Sequence, residues 1–440
     1  MAKVFVSMYN FARHKDDYTI MPPFYETFVN GLKNAGNDVL CYFHKNFYMD
    51  FSGEMPKEVF EKFKSFDADI YIFFNNNFWD VTKYTDKPIL VYDVDSPIFY
   101  KNLDKIKENT ERYKFMTIQK GSTKVITDTF SIGDDRVGYV PPFTGVQKDE
   151  NAEIKQNISF IGANWGWEGC KFVNDFMIKD ITEEERYMAK MVYDEYTKEP
   201  FYTSDEIYEK LGLNPKNKIK INNDMNSASR ISGIKRLQYL EAISDLGLVI
   251  RGLYWSHPNT RYYPGVAFAY NKAPIFSLKE NQDVFNSSKI SFNINHIQAK
   301  TGFSWRVCDI MASNACLVTE YKPDYKEVFP NINLPTFTNI YEAREVCRKL
   351  LESPEERKEI VSVCNEFIDK NYRFENTLGI IEDFMNVSMH DKEHTGSLEF
   401  IYDKPVKQEN PAEKKIFIGN RAIRKVHHLL GIYLKKKGCI

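Results

Sequence analysis

No run of eighteen apolar residues occurs in this chain, and a membrane-spanning helix needs about that many. The N-terminus has no basic segment leading into a long apolar core, so no signal sequence is read there. Cys-x-x-Cys pairs are missing as well. The seven cysteines (Cys41, Cys170, Cys308, Cys316, Cys347, Cys364 and Cys439) are an odd number. That pattern argues against a disulfide framework or a zinc site and for reduced thiols in a cytoplasm. A net charge of −2 exerts no global pull toward nucleic acid or membrane. The expectation is a soluble cytoplasmic protein with no nucleic-acid partner.

What is present points to two ordinary cores. A length of 440 residues with 43% hydrophobic content suits two domains. Aromatics reach 15%, enough for a bulky core with some rings left to stack on sugars. The first half alternates strands (3–8, 38–43, 70–75, 88–92, 114–118, 137–140) with helices (22–35, 58–66). Strand, helix, strand in this order implies a parallel sheet covered on both faces. Ligands of such sheets sit at the carboxyl ends of strands. The loop 9–21, with Arg13 and His14, and the DVDSP turn, with Asp93 and Asp95, should therefore face a cleft. Pro141, Pro142 and the polar run 145–156 read as a linker. A second sheet starts at Asn157, and the charged, aromatic stretch 165–226 reads as a helical insertion. The expected domains are 1–145 and 157–370, followed by C-terminal helices and a basic tail over 371–440.

Residues 301–330, TGFSWRVCDIMASNACLVTEYKPDYKEVFP, carry the most information. They read as a loop, a short helix, a buried strand and a second loop. Gly302 has no Cβ and lets backbone approach a ligand. A helix start behind a glycine favours phosphate, through free N–H groups and the helix dipole. Asp309, one turn further in, can receive ribose hydroxyls.

This stretch resembles the donor-site signature of GT-B glycosyltransferases of the group 1 type, and specifically of the CgeB-like (spore maturation protein) branch. The matching residues are Thr301, Gly302, Phe303, Ser304, Arg306, Val307, Asp309, Met311, Ala312, Leu317, Thr319, Glu320, Tyr321 and Phe329. Many retaining enzymes of the larger group carry two glutamates eight positions apart here. This chain has Thr301 and Asp309 in their place. The resemblance implies two facing Rossmann-like domains, with the final helices crossing back onto the first. It implies a nucleotide-diphosphate sugar as substrate, a UDP-sugar first, with no tightly bound cofactor and no required divalent metal. Donor contacts would come from Lys235, Arg236, Thr301, Gly302, Phe303, Arg306 and Asp309. Retention of anomeric configuration is the expected stereochemistry.

Single residues admit two readings each. Arg306 either forks onto donor phosphate or pairs with Asp309 or Glu320. Lys235 and Arg236 either meet the diphosphate or form a solvated face. His296 sits at a strand end and is either a donor contact or a structural histidine. Glu320 can hold sugar hydroxyls. Asp93 and Asp95 could bind Mn²⁺ or Mg²⁺ as a DxD triplet. They sit on the half expected to take the acceptor, so an acceptor-side role is preferred, with Asp95 as the polar group or base. Catalytic candidates are thus Asp95, His296 and Glu320, with Arg13, His14 and Asp93 on the acceptor side. The tail 411–440 holds eight Lys or Arg against one Glu, a balance of 8 − 1 = +7, with Ile423, Val426, Leu429, Leu430 and Tyr433 at helical spacing. It reads as a basic amphipathic helix for peripheral membrane contact or as a helix packed on its own protein. The function expected is transfer of a sugar to a glycan, lipid-linked glycan or protein acceptor. The alternatives are a non-catalytic protein or an epimerase on the same scaffold.

Overall fold

A computed structural model of the chain describes residues 2–9, 21–44, 56–75, 81–95, 103–164, 182–198, 204–213, 224–256, 260, 262–273 and 275–402. In the first half the order is β1 (Lys3–Tyr9), α1 (Pro23–Asn34), β2 (Asp38–His44), α2 (Lys57–Phe66), β3 (Ile70–Phe74), β4 (Ile89–Asp93), α3 (Leu103–Lys107), β5 (Tyr113–Thr117), α4 (Lys120–Phe130) and β6 (Val137–Tyr139). The second half begins with β7 (Gln156–Ile161), α5 (Glu183–Lys198), α6 (Ser204–Lys210), α7 (Asp224–Ala242), β8 (Leu248–Arg251), α8 (Pro264–Ala269) and α9 (Leu278–Asn286). It continues with β9 (Ser288–Asn293), α10 (Arg306–Met311), β10 (Cys316–Glu320), α11 (Tyr325–Val328), β11 (Thr336–Phe337), α12 (Ile340–Glu352), α13 (Pro354–Asn371), α14 (Phe374–Met385) and β12 (Leu398–Tyr402).

Two sheets result. The first runs β12-β2-β1-β3-β4-β5-β6 and the second β11-β10-β9-β7-β8. Every paired strand in both is parallel. The strand residues explain this. In β1, Val4, Val6 and Met8 pack into one buried cluster while Phe5 packs into the other, so both faces are covered, as parallel sheets require. In the second sheet Ile290 and Phe292 fill one side, and Leu317 fills the other. Full burial of one such side chain is worth roughly 1.5–3 kcal/mol.

The chain end returns to the first sheet. Phe374, Leu378, Ile381 and Met385 of α14 join the cluster built on β1 and α1. Gly31 makes the approach possible, since a Cβ there would lie 2.2 Å from the Phe374 ring. Strand β12 then pairs with β2. This strand was not expected from the sequence, because LEFIY is short and follows a polar turn.

The two α/β layers are fastened to each other. Trp305, just before α10, packs at a tilt against Phe24 of α1 with centroids 5.3 Å apart. Glu26 accepts the Leu278 N–H at the start of α9 (2.9 Å). Thr144, in the connecting segment, donates to Asp309 at 2.6 Å. Buried free thiols are Cys41, Cys308, Cys316, Cys347 and Cys364. No helix among the described residues is long and apolar enough to cross a membrane. The tail 411–440 lies outside the described residues, as does most of the segment 165–226.

Candidate functional site

Strand order reverses between β1 and β3 in the first sheet and between β7 and β9 in the second. Crevices at such reversals, outside the carboxyl ends of strands, are where open α/β sheets take ligands. The second reversal gathers the ends of β7 and β9, the α7 residues Lys235 and Arg236, the start of α10, and Glu320 at the end of β10.

Cations dominate this crevice. The Arg236 side chain is buried and Nη1 donates to the Ala163 carbonyl (2.7 Å), while Nε makes no hydrogen bond among the described residues. Burial, with Arg306 nearby, pulls the Arg236 guanidinium down to about 9. Arg306 is itself held below the ordinary range by burial, with Asp309 opposing. Arg306 makes no hydrogen bond or ion pair among the described residues, so the expected alternatives of pairing with Asp309 or Glu320 are not realised. Lys235 does have a partner: Nζ lies 2.7 and 2.9 Å from the two oxygens of Glu320. Lys322 Nζ donates to the Ala299 carbonyl (2.6 Å), and burial pulls it down to about 8. His296 lies among these groups. Burial, then Arg236, Lys235 and Lys322, hold it well below its usual value. It is therefore a neutral imidazole, and Nδ1 accepts the Gln298 N–H (3.3 Å).

Glu320 also braces the strand ends, accepting the Asn295 N–H at 3.2 Å. Asn295 in turn accepts the Ser304 N–H (3.1 Å). The start of α10 is consequently less open than its sequence implies. Val307, Cys308 and Asp309 N–H groups are taken by the Ser304 and Trp305 carbonyls. Asp309 is 3% exposed, and burial raises its carboxyl to about 6 against Thr144, Arg306 and Arg373. Phe303 is buried against Tyr325 and Phe329.

Gly302 requires a correction. The sequence assigns its missing Cβ to a ligand. In the structure that space holds Gln119 from the end of β5, whose Oε1 would lie 2.0 Å from a Cβ. Gln119 Nε2 donates to the Phe303 carbonyl (3.2 Å). Thr301 accepts the Asp324 N–H through its carbonyl at 3.1 Å, and Gly121 of α4 faces its hydroxyl. This loop is thus a contact between the two layers.

On the first sheet, Asp95 stands at the cleft. Asn75 Nδ2 donates to one carboxylate oxygen (2.7 Å) and Gln298 Nε2, from the other layer, to the second (3.4 Å). Burial raises the Asp95 carboxyl to about 6, with Gln298 opposing. Asp93 does not share this position. It is fully buried and accepts from the Thr117 hydroxyl (3.2 Å), because it is the last residue of β4, whereas Asp95 lies in the turn beyond the strand that Asn75 shapes. Its expected acceptor-side role is corrected accordingly, and the two carboxylates do not form a DxD metal clamp. Arg13 and His14 lie outside the described residues.

Residues 236–383 match the model of a family described as glycosyl transferase-like. A sucrose-phosphate synthase from Thermosynechococcus elongatus superposes with a TM-score of 0.54 at 8% identity, covering 88% of this chain and 99% of that one. The chain has the GT-B fold. A glycosyltransferase from Rickettsia africae ESF-5 gives a TM-score of 0.47 at 11% identity, covering 88% and 99% of the two chains. T4 phage BGT in complex with UDP-glucose gives 0.44 at 12%, covering 88% and 100%. These likenesses concern the fold alone. No curated protein matches the chain by sequence.

Three residues of the candidate site were missed in the sequence. Lys322 reads there as one more lysine of a polar loop, although it stands two positions after the strand-end Glu320. Gln298 and Asn75 carry no charge and no motif. The signal for Asn75 is its place at the end of β3, where it adopts a φ of 52°.

Proposed function

We propose that the chain is a glycosyltransferase that takes a nucleotide-diphosphate sugar, a UDP-sugar first, and moves the sugar to a hydroxyl of a glycan, lipid-linked glycan or protein. One observation carries the reading. Two neighbouring guanidinium groups, Arg236 and Arg306, sit in a switch-point crevice, and the Arg306 side chain makes no hydrogen bond or close ion pair among the described residues. Like charges held together out of water are costly unless an anion joins them. A diphosphate answers that charge in the forked geometry guanidinium favours.

Lys235 and Lys322 add charge to the same place, so protein cations supply the leaving-group stabilisation and the reading requires no divalent ion. The donor binds the second domain, 157–370, and the acceptor the first, 1–145. Neutral His296 serves as a hydrogen-bond partner to the donor and not as a base, and Glu320 acts by holding Lys235. Asp95 accepts the hydrogen bond of the acceptor hydroxyl. That oxygen bonds to the anomeric carbon as the bond to phosphate breaks, and the electron pair leaves with the diphosphate. Under retention, as in the group 1 type, the leaving phosphate takes the hydroxyl proton. The 301–330 match supports the CgeB-like branch, a cytoplasmic setting follows from the thiols, and the basic tail 411–440 supports peripheral membrane contact.

Calorimetry with UDP, GDP, CDP and ADP, with and without Mn²⁺, tests this. One diphosphate should bind without metal and bind at least tenfold more weakly to Arg306→Ala, since a charge-assisted contact is worth about 1.5–3 kcal/mol. Failure of all four to bind the native chain refutes the donor site. Binding only with Mn²⁺ refutes the metal-free reading. The anomeric configuration of the product, by NMR, decides retention.

A further inference from the structure

We propose that Gln298 is a positioning residue that ties the Asp95 carboxylate to the donor-side loop 294–301. The inference rests on the donor and acceptor sides proposed above. Asp95 is first aimed from its own layer. Asn75 Oδ1 accepts the N–H groups of Val94 (2.7 Å) and Asp95 (3.2 Å), while its Nδ2 donates to Asp95 Oδ2 (2.7 Å). These three bonds shape the turn after β4 and orient the carboxylate. Asn75 does so from a left-handed conformation, φ 52°. Such strain in a non-glycine residue persists where the surroundings hold it, and it concentrates at functional sites.

The other carboxylate oxygen is met from across the cleft by Gln298 Nε2 (3.4 Å). Gln298 belongs to a loop pinned on both sides to the cation crevice. Ile297 N–H donates to Ser232 Oγ (3.0 Å), on the same helix as Lys235 and Arg236. Lys322 Nζ donates to the Ala299 carbonyl (2.6 Å). His296 and Gln298 are joined within the loop at 3.3 Å. A shift of α7 or of Lys322 as an anion binds is therefore delivered to Asp95 through one amide. That amide favours the ionised, acceptor-only form of the carboxylate, the form that can receive an acceptor hydroxyl. Among the described residues, Tyr25 from α1 is an ionisable group facing Asp95, and it interacts with Asp95, Asn75 and Asp93. His296 is a titratable ring on the loop side, two positions from Gln298.

The test is the titration of Asp95 in the full-length chain labelled with ¹³C at aspartate Cγ, its signal assigned with Asp95→Asn. In the native protein the midpoint is expected at about 6. In Gln298→Leu it should rise by about half a pH unit or more, because a hydrogen bond to the charged form is lost. Saturating UDP should shift the Asp95 signal in the native chain and leave it unmoved in Gln298→Leu. Equal midpoints and equal UDP responses in two proteins with matching circular dichroism overturn the proposal. If calorimetry finds no diphosphate bound to the native chain, the donor reading fails, and the ligand-free midpoints still decide the role of Gln298.

Discussion

Lys235 Nζ sits within hydrogen-bond distance of both oxygens of Glu320, at 2.7 and 2.9 Å. Both side chains are less than one-fifth exposed. Removing one partner leaves the other charge uncompensated out of water, a loss of about 3 kcal/mol. Glu320→Ala should therefore lower the free energy of unfolding by about that amount in a urea titration. The variant also frees an ammonium beside Arg236 and Lys322, which adds repulsion. A change below about 0.5 kcal/mol, the scale of an exposed pair, would show that the pair is solvated.

The contact between Gln119 and Gly302 predicts a coupled pair. Gly302→Ala places a Cβ 2.0 Å from Gln119 Oε1 and forces Gln119 off the Phe303 carbonyl. Overpacking of this kind costs about 1–3 kcal/mol. Gln119→Ala should remove the clash, so the double variant is more stable than the sum of the two single changes predicts. A thermodynamic cycle checks this. Additivity within about 0.5 kcal/mol would mean that the two residues do not touch.

Donor affinity should fall above neutral pH through Lys322. Burial lowers its folded pKa to about 8 from 10.5. Between those values the unfolded chain keeps the proton and the folded one has lost it. Folding stability from this group thus rises with pH across that window, while the charge available to a phosphate disappears. UDP affinity by calorimetry should drop several-fold from pH 7 to 9 in the native chain, and should drop less in Lys322→Arg, since the guanidinium placed there keeps its charge over more of that range. A parallel decline in both proteins would assign the effect elsewhere.

Asp309 should behave in the opposite sense. Burial raises its folded pKa to about 6 from 3.8. Between these values the folded chain holds a proton that the unfolded chain has released, so this contribution is fully present below 3.8 and lost as pH rises through 6. Asp309→Asn keeps an oxygen for the Thr144 hydroxyl without the buried charge. Its unfolding midpoint should exceed that of the native chain at pH 7.5 and converge with it at pH 4.5. A lower midpoint at pH 7.5 would show that the ionised form is held by Arg306 and Arg373 more strongly than burial opposes it.

The strands and most helices were legible because their determinants are local. Runs such as VFVSM and ISFNI admit little but a strand covered on both faces, and Pro354 starts a helix where its ring is tolerated. The signature 301–330 contributes Arg306 to the crevice where Arg236 also lies. What local pattern could not supply was partnership. Glu320 was read as a sugar ligand, and its grip on Lys235, 85 positions away, had no sign in the local pattern. Asp93 and Asp95 look equivalent in DVDSP, yet one is sealed against Thr117 and the other faces the cleft. Gly302 was recognised as a place of close approach, but the approaching group is Gln119, 183 positions earlier in the chain.

By itself the sequence determined the α/β class, the parallel order of strands and the cationic character of the crevice, since hydrophobic period and residue charge are properties of short segments. Only the tertiary structure decided which polar groups lose water together. The pairing of β12 with β2, the bond of Thr144 to Asp309 and the meeting of Asp95 with Gln298 all join residues far apart in the chain. Desolvation and pairing energies depend on distances through space, and those exist only once both layers have closed.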